Sequence, residues 1–309
     1  MGFKTVFKRY ELKYMITKEQ KEEILKALSP YMTIDEYGRI TIRNIYFDTD
    51  DYILARHSIA KPDFKEKLRI RSYSKADDDS TVFVELKRKY DGVVYKRRVA
   101  LTEHEAKDWV HGLKTPDIHH KEPQKTKEID YFFNMYDGLH PALYLSYERE
   151  AYKMRDGGDF RVTFDENIMA RDYDISLESD AYGTNLIEDD KVLMELKCSG
   201  GLPLWMVDIL SVLKVYKRSF SKYGTAYQTM IYPNLEIEAA PGYAAAVRAE
   251  ASRRSERTAD TGDKKRARVY TAGKRQLFSC NCTYIIQGRT HGTKTKLGSR
   301  ICRLMTSYT

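Results

Sequence analysis

Charged residues recur at every second position in several short segments of the chain. The segment Lys65–Arg71 reads KEKLRIR and has a basic residue at each alternate position. Similar alternation, with carboxylates mixed in, occurs in Glu11–Lys13, Glu85–Lys89, Tyr147–Arg149, Arg161–Asp165 and Glu195–Lys197. Because successive side chains of a β-strand point to opposite faces, each set lies on one side of its strand.

A sheet face with this composition needs a compensating partner. Like charges that lie opposite each other on neighbouring strands are destabilising, and an enclosed cation without a partner costs several kcal/mol. Guanidinium and ammonium groups suit phosphate oxygens, so a polyanionic ligand would supply the missing charge. The alternative is the solvated, mixed-charge outer face of an open sheet. The same bias in six strands favours the anion-binding face.

The carboxylates in these segments suggest a metal ion. Glu11, Glu85 and Glu195 would be unfavourable neighbours of phosphate unless a divalent cation lay between them. Oxygen ligands suit Mg²⁺ or Mn²⁺, which commonly bridge one or two carboxylates to substrate phosphates. We therefore expect a divalent metal, Mn or Mg, as cofactor.

The elements that position these residues are mainly strands, separated by a few helices. Thr17–Gln20 has the form of a capping box, which predicts a helix that ends near Pro30. The dipeptide Asp91–Gly92 predicts a tight hairpin between two strands. Helical patterns cover residues 102–111, 125–136, 204–213 and 222–230, and strand patterns cover most of the remainder before residue 198. The prediction is an α+β fold, with an antiparallel β-barrel or large sheet and flanking helices.

The last part of the chain differs in composition. Of the 53 Lys+Arg and 45 Asp+Glu, residues 241–309 hold 15 and 4, so the net charge of +8 belongs to this segment. We expect residues 3–235 to form the folded domain and 236–309 a basic, low-complexity, disordered tail. A second interpretation of this segment is a basic arm that binds nucleic acid. A third interpretation is that the segment is translated out of its ancestral reading frame.

Several classes of protein are excluded by the same composition. The chain has no uninterrupted apolar stretch of about 20 residues, which a spanning helix needs, and its N-terminus lacks the apolar core of a signal peptide. Cys198 alone in the first 240 residues argues against a disulfide scaffold. We expect a cytoplasmic protein, which would reach a membrane only through a partner protein.

The motifs, taken together and in order, resemble the VTC domain. This is the catalytic domain of vacuolar-transporter-chaperone polyphosphate polymerases and belongs to the CYTH-like triphosphate tunnel metalloenzymes. The resemblance covers about residues 3–233 and looks like the stand-alone bacterial type. It rests on Glu11–Tyr14, Lys67–Arg71, Val84–Lys87, Tyr147–Arg149, Arg161–Asp165 and Met194–Lys197.

The resemblance implies a β tunnel that binds ATP phosphates and a growing polyphosphate chain. The residues on the family's phosphate-binding positions are Lys13, Lys67, Arg69, Arg71, Lys87, Arg149 and Arg161. Lys96 is expected to join them, although Arg97 and Arg98 beside it leave the register open, and Lys197 shares a strand face with Glu195. Glu195 falls on the metal-binding position, and Glu11 and Glu85 are second metal-binding or lysine-orienting candidates. Arg149, Arg161, Ser221 and Lys222 are predicted to act at the reacting phosphates, with Ser219 as the alternative to Ser221.

The resemblance implies transfer of the γ-phosphoryl group of ATP to inorganic polyphosphate. A tunnel-fold triphosphatase is one alternative, because the architecture also serves hydrolysis. In hydrolases of this kind we expect more inward carboxylates, and Arg9 stands where E-x-E-x-K would have an acidic residue. The other alternative is a polyphosphate-binding module without turnover.

Overall fold

One antiparallel sheet organises the chain. The computed structural model describes residues 10–90, 93–112, 116 and 121–234. The predicted tail, residues 3–9 and the Asp91–Gly92 turn lie outside these residues.

The strands and helices alternate irregularly along the chain. The strands are β1 (Tyr10–Thr17), β2 (Met32–Asp48), β3 (Phe64–Ser72), β4 (Thr81–Tyr90), β5 (Val93–Thr102), β6 (His140–Met154), β7 (Arg161–Arg171), β8 (Thr184–Asn185) and β9 (Lys191–Cys198). The helices are α1 (Lys18–Leu28), α2 (Ile53–Ala60), α3 (Glu103–Val110), α4 (Pro123–Met135), α5 (Leu204–Val212) and α6 (Lys222–Ala226). A π-helical turn, Tyr227–Ile231, continues α6.

Local sequence signals account for several of these boundaries. The backbone N–H of Gln20 donates to Thr17 Oγ1 at 3.1 Å, and Thr17 N–H donates back to Gln20 Oε1 at 3.0 Å, so the predicted capping box is confirmed. Strand β2 is 17 residues long and starts at Met32. Gly38, at φ +63°, allows the irregular register between Ile34 and Arg39 that keeps the two halves in one strand.

The predicted α+β fold is confirmed, but the sheet is strongly curled rather than a closed barrel. Its order is β1-β9-β7-β6-β2-β3-β4-β5, with β8 beside β7. In the described residues, the edges β1 and β5 do not pair. Instead, Tyr14 of β1 bridges to Lys217, and Arg218 N–H donates to the Lys13 carbonyl at 2.8 Å. The segment 217–222, which we call the strap, therefore takes the β1 edge that a closed barrel would use.

The curl brings distant strands together on its concave face. Glu11 of β1 and Lys87 of β4, at opposite ends of the strand order, form an ion pair at 3.2 Å. The pairing register places Lys67 beside Lys87 and Lys87 beside Lys96. It also pairs Lys13 with Glu195 and Arg149 with Asp165. The alternating charged sets of the sequence thus share the inner wall of a tunnel.

Two of the three hydrophobic clusters in the described residues lie on the convex side, between the sheet and its helices. Helices α3 and α4 cover β3–β5, where Leu68, Leu86 and Phe132 are fully buried. Helices α1 and α5 cover β7 and β9, and Phe164 and Met206 are buried in that cluster. The third cluster lies on the concave side at the tunnel floor, where β2 and β6 pack against α2 and α6, and the charged groups line the rest of that face. No helix of the described residues has the length and apolarity to cross a bilayer.

The end of β2 is tied to the helices at the tunnel floor by one carboxylate. Asp48 is completely buried and accepts hydrogen bonds from the N–H groups of Thr49, Leu54 and Ala55 at 2.8–2.9 Å. The phenol of Tyr223 donates to it at 2.6 Å. Helix α2 has no side-chain cap of its own. Asp48 therefore caps α2 and links it to α6.

We expect Asp48→Ala to lower the free energy of unfolding by about 3 kcal/mol, because it leaves several buried donors without an acceptor. Chemical denaturation followed by circular dichroism measures the change. Asp156→Ala, which removes an exposed turn acceptor for Gly158 N–H, is the control. A loss for Asp48→Ala no larger than that for the control would contradict the capping role.

Candidate functional site

Glu85 is the central carboxylate of the wall formed by β3, β4 and β5. Its side chain is 1% exposed. Arg69 donates to Oε2 through two nitrogens at 2.8 and 2.7 Å, and Lys96 and Arg98 reach Oε1 at 2.6 and 2.5 Å. Burial opposes its ionisation, but Arg69, Arg71 and Lys96 hold the pKa of Glu85 far below its usual value. Glu85 thus fixes several phosphate-binding candidates in place.

The register of β5 settles the orientation that the sequence left open. Lys96 lies on the concave face with Arg98, whereas Arg97 points to the convex side and donates to Glu128 at 2.9 Å. Burial lowers the pKa of Lys96 to about 8, although Glu85 opposes the shift. Arg98 was not among the predicted site residues. Because it lies two positions from Lys96, strand alternation would have placed it on the same face.

Glu195 occupies the corresponding position on the wall formed by β1, β9, β7 and β6. Its oxygens lie 3.2 Å from Lys13 Nζ, 3.1 Å from Lys197 Nζ and 3.4 Å from Arg149 Nη2. Burial raises its pKa, but Lys197, Lys222 and Lys13 outweigh that effect and hold the pKa well below normal. The carboxylate is therefore ionised and shared among the cations around it.

Asp165 is the main residue that the sequence analysis left without a role. It is completely buried, and Arg149 donates to both of its oxygens at 2.5 and 2.6 Å. Lys222 Nζ lies 2.5 Å from its Oδ2. Despite burial, these cations lower its pKa. Its spacing from Arg161 placed it on the correct face, but the sequence could not show that Arg149 and Lys222 converge on it.

The strap delivers side chains to the junction of the two walls. Lys13 Nζ donates to the Phe220 carbonyl at 3.1 Å, and Lys67 Nζ donates to Ser221 Oγ at 3.1 Å. Ser221 also caps α6 by accepting from Gly224 N–H at 3.1 Å. Ser219 is exposed. Ser221 and Lys222 are therefore the strap residues that meet the predicted cations.

Lys67 differs from the other concave-face cations. Its ammonium makes no ion pair with the described part of the chain, and its neighbours include Lys13, Lys87 and Lys65. Burial, together with these like charges, lowers its pKa well below the normal value. An incoming anion would relieve this repulsion directly.

The remaining predicted residues occupy the ends and floor of the tunnel. Arg71 is buried and donates to Asn44 Oδ1 at 3.0 Å and to the Tyr147 hydroxyl at 2.9 Å. Burial raises the pKa of Tyr147, but Arg71, Arg149 and Lys222 more than offset it and bring the pKa to about 8. Arg161 is exposed at the start of β7, opposite Lys197. It therefore lies at the periphery of the cation cluster.

Two of the predicted metal ligands fit a divalent cation better than the third. Glu195 and Glu11 lie 3.2 and 3.7 Å from the same Lys13 ammonium, so their oxygens could face one hard cation. Burial opposes ionisation of Glu11, but Lys87 and Lys13 bring its pKa to about 2. The nearest cations around Glu85 lie closer, at 2.5–2.8 Å, than those around Glu195, at 3.1 Å or more, so Glu85 fits less well.

A cluster of three carboxylates at metal-binding spacing occurs in the described residues, away from the concave face. It consists of Asp78, Glu103 and Glu178 near α3. Lys107 ion-pairs with all three, at 3.7 Å from Asp78 and 2.7 Å from Glu103. The protein's own ammonium thus occupies this position.

A curled antiparallel sheet whose concave face carries clustered guanidinium and ammonium groups defines a phosphate-handling β tunnel. The chain belongs to the VTC domain family, whose profile matches residues 8–231. The resemblance inferred from the motifs is therefore confirmed. No curated protein matches the sequence.

Solved structures with related folds are distant in sequence. One from Bacillus halodurans, described as a candidate adenylate cyclase, has 16% identity and a TM-score of 0.45, over 75% of this chain and 98% of that one. Another from Vibrio parahaemolyticus, described in the same way, has 11% identity and a TM-score of 0.36, over 70% and 95%. A protein from Pyrococcus horikoshii has 15% identity and a TM-score of 0.33, over 68% and 95%.

We expect Lys67→Met to raise the free energy of unfolding at neutral pH and to weaken tripolyphosphate binding by at least about tenfold, since a hydrogen bond to a charged group is lost. The lowered pKa of Lys67 means that the folded state disfavours its ammonium form. Replacing this charge with the neutral Met side chain should therefore stabilise the fold. Thermal unfolding and isothermal titration calorimetry measure the two effects. Lys26→Met, on an exposed part of α1, is the control.

Binding in the wild type should also take up a proton. A polyanion raises the pKa of Lys67, so affinity should fall as pH rises between the free and bound pKa values. Calorimetry in buffers of different ionisation enthalpy measures the uptake, which Lys67→Met should reduce. If uptake were the same in both proteins, Lys67 would not be its source.

Proposed function

We propose that the protein is a metal-dependent polyphosphate polymerase, which transfers the γ-phosphoryl group of ATP to a growing inorganic polyphosphate chain. The observation that supports this best is the excess of cations on the concave face, where Lys67 lies beside Ser221 without an ion pair to any described residue. An enclosed surface of this kind is suited to a ligand with many phosphates. Membership of the VTC family agrees with that substrate class.

The side chains would act mainly by positioning phosphates and neutralising their charge. Phosphoryl transfer has a loose transition state and requires little covalent work from the protein. The phosphate-holding groups in this proposal are Lys13, Lys67, Arg69, Arg71, Lys87, Lys96 and Lys197, with Arg149 and the peripheral Arg161. Their ion pairs with Glu85, Glu195 and Asp165 hold many of these groups in place before substrate arrives.

Ser221 and Lys222 would lie beside the transferred group. The strap carries both into the junction of the two walls, where Lys67 contacts Ser221 and Lys222 contacts Asp165. The Lys222 ammonium can stabilise charge on the equatorial oxygens, and the Ser221 hydroxyl can donate to one of them. A terminal oxygen of the acceptor polyphosphate attacks the γ-phosphorus, and ADP leaves. That oxygen is already ionised, so no general base is needed.

Glu195 and Glu11 would hold the divalent cation. When bound, Mg²⁺ or Mn²⁺ supplies further neutralisation of phosphate charge. Lys13, which lies between the two carboxylates, would then be free to turn to a phosphate oxygen.

Hydrolysis of triphosphate is the second candidate, because Asp165 adds an inward carboxylate beyond Glu11, Glu85 and Glu195. A hydrolase must orient a water with such a group. Arg149 and Lys222 already occupy the oxygens of Asp165. This arrangement favours transfer to a phosphate acceptor over attack by water.

Incubation of the purified protein with ATP and Mn²⁺ should give a ladder of polyphosphate on a gel. Lys222→Met should reduce the rate by about 100-fold or more, as expected for loss of one transition-state donor. The variant leaves Asp165 paired with Arg149, so the fold should persist. Release of orthophosphate alone would indicate a hydrolase. Tight tripolyphosphate binding without turnover would indicate a binding module.

Glu195→Gln should reduce metal-dependent turnover by about 100-fold or more, in the range lost when charge stabilisation of a transferring phosphoryl group is removed. Polyphosphate binding should be retained or tighter, because Lys13 and Lys197 lose a competing carboxylate. Turnover against Mn²⁺ concentration and filter binding of labelled polyphosphate measure the two effects. Glu23→Gln, on the exposed side of α1, is the control. Wild-type turnover at ordinary Mn²⁺ would contradict the metal role.

A further inference from the structure

On β3 and β4, the charged rows of the concave face end in aromatic residues on one side and in lysines on the other. On β3 the inward row runs from Lys65 to Arg71 and is followed by Tyr73. On the adjoining row of β4, Phe83 lies opposite Arg71, whereas Lys89 lies opposite Lys65. The tunnel wall therefore changes along its length from paired lysines to aromatic rings beside guanidinium groups.

The aromatic end has a defined geometry. The rings of Tyr73 and Phe83 meet edge to face with centroids 5.5 Å apart. The guanidinium of Arg98 lies 4.3 Å from the Phe83 centroid and donates to the Tyr73 hydroxyl, and that of Arg71 lies 6.0 Å from the Tyr73 centroid. Tyr73 remains 37% exposed. We call Tyr73, Phe83 and Arg98 the aromatic rim.

The position of the rim is fixed by its backbone. Ser72 Oγ donates to the Ser74 carbonyl at 2.6 Å and accepts from Ser74 N–H at 3.2 Å, so the chain turns tightly around Tyr73. Two residues beyond, Ala76 N–H donates to the Leu177 carbonyl at 3.0 Å. The Tyr73 ring is thus presented at a set place.

The rim is continuous with the phosphate-binding cations. Arg98 donates to Glu85 at 2.5 Å, and Glu85 in turn holds Arg69 and Lys96. A ligand whose phosphates lie along Arg69 and Arg71 would carry its next chemical group towards Tyr73. At the opposite end, Lys65 and Lys89 are suited to more phosphate.

We propose that the aromatic rim is the subsite for the nucleobase of a nucleoside triphosphate. A purine ring can stack on Tyr73, and its π face can also interact with the guanidinium of Arg98. Inorganic tripolyphosphate has no ring that could stack on Tyr73. The inference rests on the proposed function for the identity of the nucleotide, and it explains how one tunnel could distinguish nucleotide donor from polyphosphate acceptor.

The test compares two ligands that share the triphosphate but not the base. Calorimetry with ATP and with tripolyphosphate is carried out on the wild type, Tyr73→Ala, Tyr73→Phe and Tyr90→Ala. Tyr90 is an exposed tyrosine at the far end of β4, on the alternate face, and serves as the matched control. Tyr73→Ala should weaken ATP binding about tenfold and leave tripolyphosphate binding unchanged. Tyr73→Phe and Tyr90→Ala should bind ATP like the wild type.

The outcomes separate this inference from the proposed function. If Tyr73→Ala weakened the binding of both ligands equally, or of neither, the rim would not bind a base. The proposed polymerase activity would not be contradicted by that result. If Tyr73→Phe lost as much ATP affinity as Tyr73→Ala, the tyrosine would act through its hydroxyl contact with Arg98, and the stacking proposal would be wrong. If the wild type bound neither ligand, the proposed function and the subsite would both fail.

Discussion

The sheet encloses more cations than carboxylates, and this imbalance constrains the rest of the structure. Each inward carboxylate is shared, as Glu85 is by Arg69, Lys96 and Arg98, and as Asp165 is by Arg149 and Lys222. Removal of water from these groups is costly unless they are well paired. Sharing lets few acids stabilise many cations in the absence of ligand. The remaining excess of positive charge, most evident at Lys67, favours the binding of phosphate.

The way in which the sheet ends is tied to the same constraint. Full closure by pairing β1 with β5 would complete the backbone hydrogen bonds but admit no further segment. Instead, the strap bonds to the edge of β1 through Tyr14 and Lys13 and then turns inward. Ser221 and Lys222 reach the concave face by this route. The strap thus satisfies backbone hydrogen-bonding groups at the edge of β1, and it also brings side chains from the end of the domain to the site.

Much of this arrangement could be predicted from strand periodicity, because alternation alone decides which side of a strand a residue occupies. Lys67, Arg69 and Glu85 were assigned to one face in this way, and the pairing register places them there. Periodicity does not show which strands become neighbours across the curl. The contact between Glu11 of β1 and Lys87 of β4 depends on that. Periodicity also does not show that β2 continues through Gly38, where the alternation is interrupted by an irregular register.

The inward carboxylates would also affect how a polyphosphate chain moves through such a tunnel. A lining of cations alone would bind polyphosphate tightly at every position and hinder its release. Glu11, Glu85 and Glu195 already pair with these cations, so each step of a bound polyphosphate chain would exchange one set of ion pairs for another of similar strength. Exchange between comparable partners lowers the cost of translocation, because no cation is left bare between steps. On this argument the acids that stabilise the empty fold are also what would keep a bound polymer mobile.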